Sequence, residues 1–166
     1  MRRLASIIHL RINHEVKPMR DSYALNPMRG GQVVQALAFL RAFVPELSAE
    51  RWQAIAGQGY TMMVATDGSG YIRGLTFSLV RIHPIAQKLL DMPILIVGSV
   101  THEKAIAELL FLEAKRRAIV QRCDFMRVWT WSPDVLDRLN DLSYCNRWDH
   151  GLMHCLNPSL VQSLGD

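Results

Sequence analysis

Followed for its alternation of apolar and polar positions, the chain resolves into short strands and amphipathic helices. SIIHLRI, Ser6 to Ile12, predicts a first strand. Asn13 to Gly31, with two prolines and a Gly-Gly pair, reads as loop. QVVQALAFLRAFV, Gln32 to Val44, spaces its apolar residues for a helix that Pro45 ends. A second, shorter helix starts at Ser48, a good N-cap residue, and stops at the glycine of SAERWQAIAGQG. TMMVAT and YIRGLTFSLVRI flank Asp67-Gly68-Ser69-Gly70, the turn chemistry of a β-hairpin.

HPIAQKLLDMP then predicts a short insertion with a turn or two of helix. ILIVGSV, Ile94 to Val100, is apolar on both faces, as a central strand is. It feeds a long helix from about His102 to Arg122. MRVWTW, Met126 to Trp131, predicts the next strand, with both tryptophans on one face. SPDVLDRLNDL follows as a helix with Ser132 as N-cap and Pro133 at its first position. SYCNRW and GLMHCLN predict a closing hairpin around Asp149-His150-Gly151. The order is an α+β (α/β layered) architecture, one mixed sheet flanked by helices.

Length and composition narrow this picture without changing it. A chain of 166 residues, 49% apolar and 20% charged, suits one globular domain spanning 1–166. The net charge of +4 favours an anionic ligand such as a nucleotide phosphate. Its basic residues are scattered, which argues against a nucleic-acid interface. No apolar run is long enough to cross a bilayer, and His9 and Arg11 interrupt the N-terminal one too early for a secretion signal. Three cysteines without such a signal point to free thiols and a cytoplasmic location.

The order of elements, with a hairpin before a central strand and a long helix, resembles the GNAT superfamily of acyl-CoA N-acyltransferases. VATDGSGYIRGLTFSL is similar to the family's second and third strands, including a glycine early in the later one, Gly74. The family begins its long helix with Arg or Gln, two residues, Gly, one residue, then Gly or Ala. Here the stretch reads His102-Glu103-Lys104-Ala105-Ile106-Ala107, so the last position conforms while His102 and Ala105 depart. A second family pattern, Asn, two residues, Ala, three residues, Tyr, three residues, Gly-Phe, falls on Ser132, Val135, Leu139 and Ser143-Tyr144.

The resemblance implies acetyl-CoA or a related acyl-CoA as donor and an amine, on a small molecule or a protein, as acceptor. Leu95, Val97 and Gly98 would face the pantetheine arm where the fourth and fifth strands splay. His102, Glu103, Lys104, Ala105, Ile106 and Ala107 would cradle the pyrophosphate through main-chain N–H groups at the helix start. Alanine in place of glycine adds one methyl group that helical backbone tolerates, so the donors persist. Ser132 would replace the asparagine that contacts pantetheine.

The departures bear on chemistry. Leu139 occupies the place of the family's tyrosine acid and has no proton to give. ILIVGSV carries no carboxylate to act as base, which leaves Ser99 and His102 as the nearest polar groups; Tyr144, at the family's phenylalanine position, is read as packing, with a catalytic role as the alternative. Two readings therefore stand: a GNAT-like N-acetyltransferase, and a GNAT-shaped binding or assembly protein without catalysis. The predicted C-terminal hairpin sets Cys145 opposite Cys155 and His150 on the face of His154. His154 and Cys155, being adjacent, point to opposite faces, so no metal site is expected. The apolar ends of the sheet leave room for a homodimer.

Overall fold

The structure, a computed structural model, describes residues 22–157 and Ser159. The expected strand at Ser6 to Ile12 lies outside those residues. The described chain runs β1 (Ala24–Pro27), a 3-10 turn (Gly30–Gln32), α1 (Val33–Leu40), α2 (Ala49–Ala56), β2 (Thr61–Thr66) and β3 (Ile72–His83). It continues through β4 (Gln87–Val97), α3 (Glu103–Val120), β5 (Phe125–Trp129), α4 (Val135–Arg138), α5 (Leu142–Cys145) and β6 (Gly151–Cys155). The six strands form one sheet in chain order, antiparallel except for the β4–β5 pair. No described helix is long and apolar enough to cross a membrane.

Several expectations meet their elements. Ser48 caps α2, its side chain accepting from the Arg51 N–H. Gly70 takes a positive φ in the β2–β3 turn, and Asp67 Oδ1 accepts from the Ser69 and Tyr71 N–H groups. α3 starts one residue after His102, as its sequence predicts.

Four segments depart. A strand, β1, lies inside the stretch read as loop. HPIAQKLLDMP is no helical insertion: β3 runs on to His83, turns through Pro84 to Ala86, and returns as β4 from Gln87. Two local devices make that turn. His83 Nδ1 accepts from the N–H groups of Ile85 and Ala86, and Gln87 adopts a positive φ. SYCNRW is no strand: its first three residues belong to the helical turn Leu142–Cys145, which Asp141 caps by accepting from the Tyr144 N–H, and the rest is turn. The helix expected from Ser132 is a single turn beginning at Val135. The Ser132 hydroxyl donates instead to the Asp134 carboxylate.

Burial assigns the two faces. α1, α2, α4 and α5 cover one, packing Leu40, Trp52, Ile55, Leu136 and Leu139 against Phe77, Ile94, Ile96 and Trp129. α3 covers the other through Ile106, Leu110, Ala114 and Ala118. Gly74 lets α3 approach closely: a Cβ there would lie 2.7 Å from Ile106 Cγ2 and 2.8 Å from Leu110 Cδ1.

β4 holds the feature that shapes the rest. Phe77 pairs with Ile94 and Leu79 with Asp91, so Ser78 alone stands opposite both Met92 and Pro93. This is a β-bulge, and it shifts the strand's phase by one. Below it Leu90 and Met92 face α3; above it Leu95 and Val97 do. Pairing with β5 stops at the same place, Met92 opposite Val128, and Pro93 has no N–H to continue it. From Ile94 onward β4 is bonded to β3 only.

Candidate functional site at the β4–β5 fork

The fork leaves one edge of Ile94–Val97 without a strand neighbour, and by strand geometry alternate N–H and C=O groups point into the gap. Leu95 and Val97 turn their side chains to α3, so these residues meet the gap through main-chain atoms. Gly98 follows, its N–H donating to the Arg73 carbonyl at 2.8 Å. The Phe39 ring from α1 rests on it, and a Cβ at Gly98 would come within 2.6 Å of Phe39 Cε2.

The chain then turns into α3. Ser99 Oγ accepts from the His102 N–H at 3.2 Å, fixing the turn. His102 is the N-cap residue, but its side chain makes no cap bond. Its Nδ1 instead shares a 2.6 Å hydrogen bond with the hydroxyl of Tyr23, 79 residues away. The first intrahelical bond runs from the Ile106 N–H to the His102 carbonyl. The N–H groups of Glu103, Lys104 and Ala105 precede it, and no side chain caps them. Lys104 is 91% exposed with Nζ 3.9 Å from Glu108, free to swing toward an anion. Glu103 is exposed in the first turn. Ile106 is buried against the sheet, so the backbone of His102 to Ala107 is the part a ligand would meet.

On the other side of the gap lie the end of β5 and the loop to α4. Half-buried Ser132 sits there. Leu139 is buried in the core. Tyr144 is half-buried, its ring 5.2 Å from Trp129 and stacked at 4.2 Å on His150. The Arg138 and Arg147 guanidinium groups lie 5.4 and 5.5 Å from its centroid. His150 is 8% exposed, and both its ring nitrogens are buried without a partner. Burial, then the charge of Arg127, lowers its pKa to about 4.

The sequence reading missed the carboxylate on this strand. Asp91 lies one rung below the fork, opposite Arg127, and both are fully buried. Asp91 Oδ1 accepts from Arg127 Nε at 2.8 Å and from the Trp129 indole at 2.6 Å; Oδ2 accepts from Arg127 Nη2 at 2.7 Å. A carboxylate so fully engaged is a structural counter-ion rather than a free base. Its signal was the lone acid in KLLDMPILIV, which the expected helical insertion hid.

The other candidate group does not assemble. Cys145 lies in α5, Cys155 pairs with Phe125, and β6 pairs with β5 instead of forming a hairpin with SYCNRW. His154 meets Phe111 on the α3 side, whereas on the opposite one His150 stacks on Tyr144 and meets the Trp129 ring edge-on.

The sequence matches no protein-family model and has no significant counterpart among curated proteins. Solved structures do resemble it. A Trypanosoma brucei acetyltransferase superimposes with TM-score 0.56 at 13% identity, over 81% of this chain and 99% of that one. The aminoglycoside N-acetyltransferase AAC(6')-Iy in complex with CoA gives 0.59 at 10% identity, over 78% and 90%. A GCN5-related glucosamine N-acetyltransferase region of a fungal GH3 β-N-acetylglucosaminidase gives 0.58 at 16%, over 68% of this chain but 14% of that multi-domain protein. The chain has the GNAT fold. Within that fold the bulged, forked β4 and the uncapped start of α3 stand side by side, with the departures His102 and Ala105 at the helix start and Leu139 in the core.

Proposed function

We propose that the protein is an acyl-CoA-dependent N-acyltransferase, with acetyl-CoA as donor and an amine as acceptor. The observation that carries this reading is the fork, which opens main-chain groups of β4 beside the uncapped N-terminus of α3. Leu95, Val97 and Gly98 would pair with the pantetheine amides, and Ser132 would approach them from the β5 side. Within the His102–Ala107 turn, the uncapped N–H groups of Glu103, Lys104 and Ala105, with the Lys104 side chain, would hold the pyrophosphate, where the helix dipole favours negative charge. The CoA complex of a GNAT-fold relative supports the same donor class.

In the transfer, the acceptor nitrogen attacks the thioester carbonyl carbon and the C–S bond breaks. The ammonium proton leaves to water, and the departing thiolate takes a proton. Tyr144, in ring contact with Trp129 at the end of β5, is our candidate donor, and positioning in the fork supplies the rest. Ser99 has its oxygen committed to the His102 N–H and serves the turn.

Titration with acetyl-CoA while following thermal unfolding tests the reading. At 100 times the dissociation constant, binding stabilises by about 2.7 kcal/mol. No shift at millimolar acetyl-CoA overturns it. One observation favours a second reading, a GNAT-shaped binding module: Leu139 is buried where the resemblance sets the acid. A thermal shift without turnover over a panel of amines, in wild type and Tyr144→Phe alike, would select that reading.

A further inference from the structure

β3, β4 and β5 bring two guanidinium groups to one carboxylate. Arg127 is satisfied: besides Asp91, its Nη1 donates to the Arg147 carbonyl at 2.6 Å and its Nη2 to the Cys145 carbonyl at 2.8 Å. It closes with Asp91 as a neutral, fully buried pair. Arg81 is left over. Its Nε lies 3.0 Å from Asp91 Oδ2, yet its N–H is not aimed there, and Nε is buried without a hydrogen-bond partner. The Arg81 side chain is 13% exposed, covered but within reach of solvent.

Among the described residues, no neighbouring group balances this charge. Asp141 caps α5 and faces Arg138, and Asp149 is paired with Arg147. Burial, ahead of nearby charges, lowers the pKa of both His83 and His150, so each is neutral at pH 7 and adds nothing of either sign. Burial likewise raises the pKa of Tyr60, which adjoins Arg81 and donates its hydroxyl proton to the Leu139 carbonyl at 3.1 Å. Two guanidinium groups sharing one carboxylate therefore leave, among the described residues, one net positive charge covered, an arrangement that costs stability unless something negative arrives. It stands on the α1/α2 side of the sheet, joined through Asp91 to Trp129 at the end of β5.

We propose that Arg81 is the anchor for a carboxylate borne by the acceptor amine, so that the acceptor is an amino acid or a similar amino carboxylate. This rests on the acyltransferase reading. A planar guanidinium matches the planar carboxylate, and a single unbalanced charge matches a monoanion. The carboxylate is held below the fork, and the amine extends toward the thioester.

The test follows thermal unfolding of the full-length protein with glycine, acetate, methylamine and inorganic phosphate at constant ionic strength. It compares wild type with Arg81→Met and Arg81→Lys. Glycine and acetate are expected to raise the wild-type Tm saturably, and methylamine to leave it unchanged. Arg81→Met should unfold at no lower temperature than unliganded wild type and bind acetate at least tenfold more weakly, with Arg81→Lys between. Absence of a saturable carboxylate response, or an undiminished one in Arg81→Met, overturns the inference. An Arg81→Met chain that does not fold also overturns it, since Arg81 would then be a required counter-ion. Phosphate binding more tightly than acetate overturns the choice of carboxylate. Acetyl-CoA is titrated in parallel: its failure to stabilise wild type would remove the transferase reading, whereas intact acetyl-CoA binding with no carboxylate response removes only the Arg81 site.

Discussion

Below its bulge, β4 is bonded on both sides and buries a charge; above it, the same strand keeps one neighbour and turns an open edge to the start of α3. The lower half is closed by side chains: Asp91 is fixed by Arg127 and by the Trp129 indole. The upper half is defined by main chain: side chains from Ile94 to Val97 go into the two cores and the backbone faces the gap. Strength and accessibility are thus separated along eleven residues of one strand. The contrast teaches that the fork's rigidity comes from next door to it, from the buried rung of Asp91, Arg127 and Trp129.

Breaking the lower half should give the largest effect. Arg127→Met leaves Asp91 buried without its main partner and should cost about 3–5 kcal/mol, read by urea unfolding. A loss below about 1 kcal/mol would mean the rung holds nothing together.

Acid probes the same region. The pKa of His150 is lowered in the folded state, from 6.5 to about 4, so between those values the unfolded chain binds more protons than the folded one. Stability therefore falls as pH drops from 6.5 toward 4, by about 3 kcal/mol at the acid end from this group. His150→Phe should flatten that part of the pH profile. An unchanged slope would assign the acid sensitivity elsewhere, His83 being the first candidate by its shift in the same direction.

Gly74→Ala tests whether the upper half depends on the close seat of α3. The new methyl meets Ile106 and Leu110, costs about 1–3 kcal/mol, and moves the helix start away from the gap. Acetyl-CoA affinity should fall beyond what any loss of folded protein explains. The smallest effect sharpens the electrostatics alone: Glu103→Gln removes a negative charge from the first turn of α3. It should tighten acetyl-CoA binding by about 0.3–1 kcal/mol, less at high salt.

Local signals account for what could be read in advance. Asp67-Gly68-Ser69-Gly70, the Ser48 cap and the long helix from His102 are each encoded within a few consecutive residues. The start of β4 was hidden for the opposite reason. Asp91 interrupts an apolar run, and the residue that makes its burial tolerable, Arg127, comes 36 positions later. His83 likewise holds the turn before β4 through a ring nitrogen, which no turn pattern records. In the site, the helix start was legible because backbone geometry follows from the strand-to-helix change. Tyr23 against His102 was not, since that contact joins segments 79 residues apart, and Arg81 beside Asp91 was not, since it depends on the β3–β4 hairpin that the expected helical insertion hid.

Pro93 gives the fork a covalent origin. Because the amide hydrogen that would extend the ladder does not exist at that residue, the opening is set by the chain itself and requires no prying apart when a guest arrives. Such a vestibule spares the entering molecule the expense of rearranging its host. Restoring an amide with Pro93→Ala would hand the two strands a means of zipping one step further, narrowing the doorway without altering its lining.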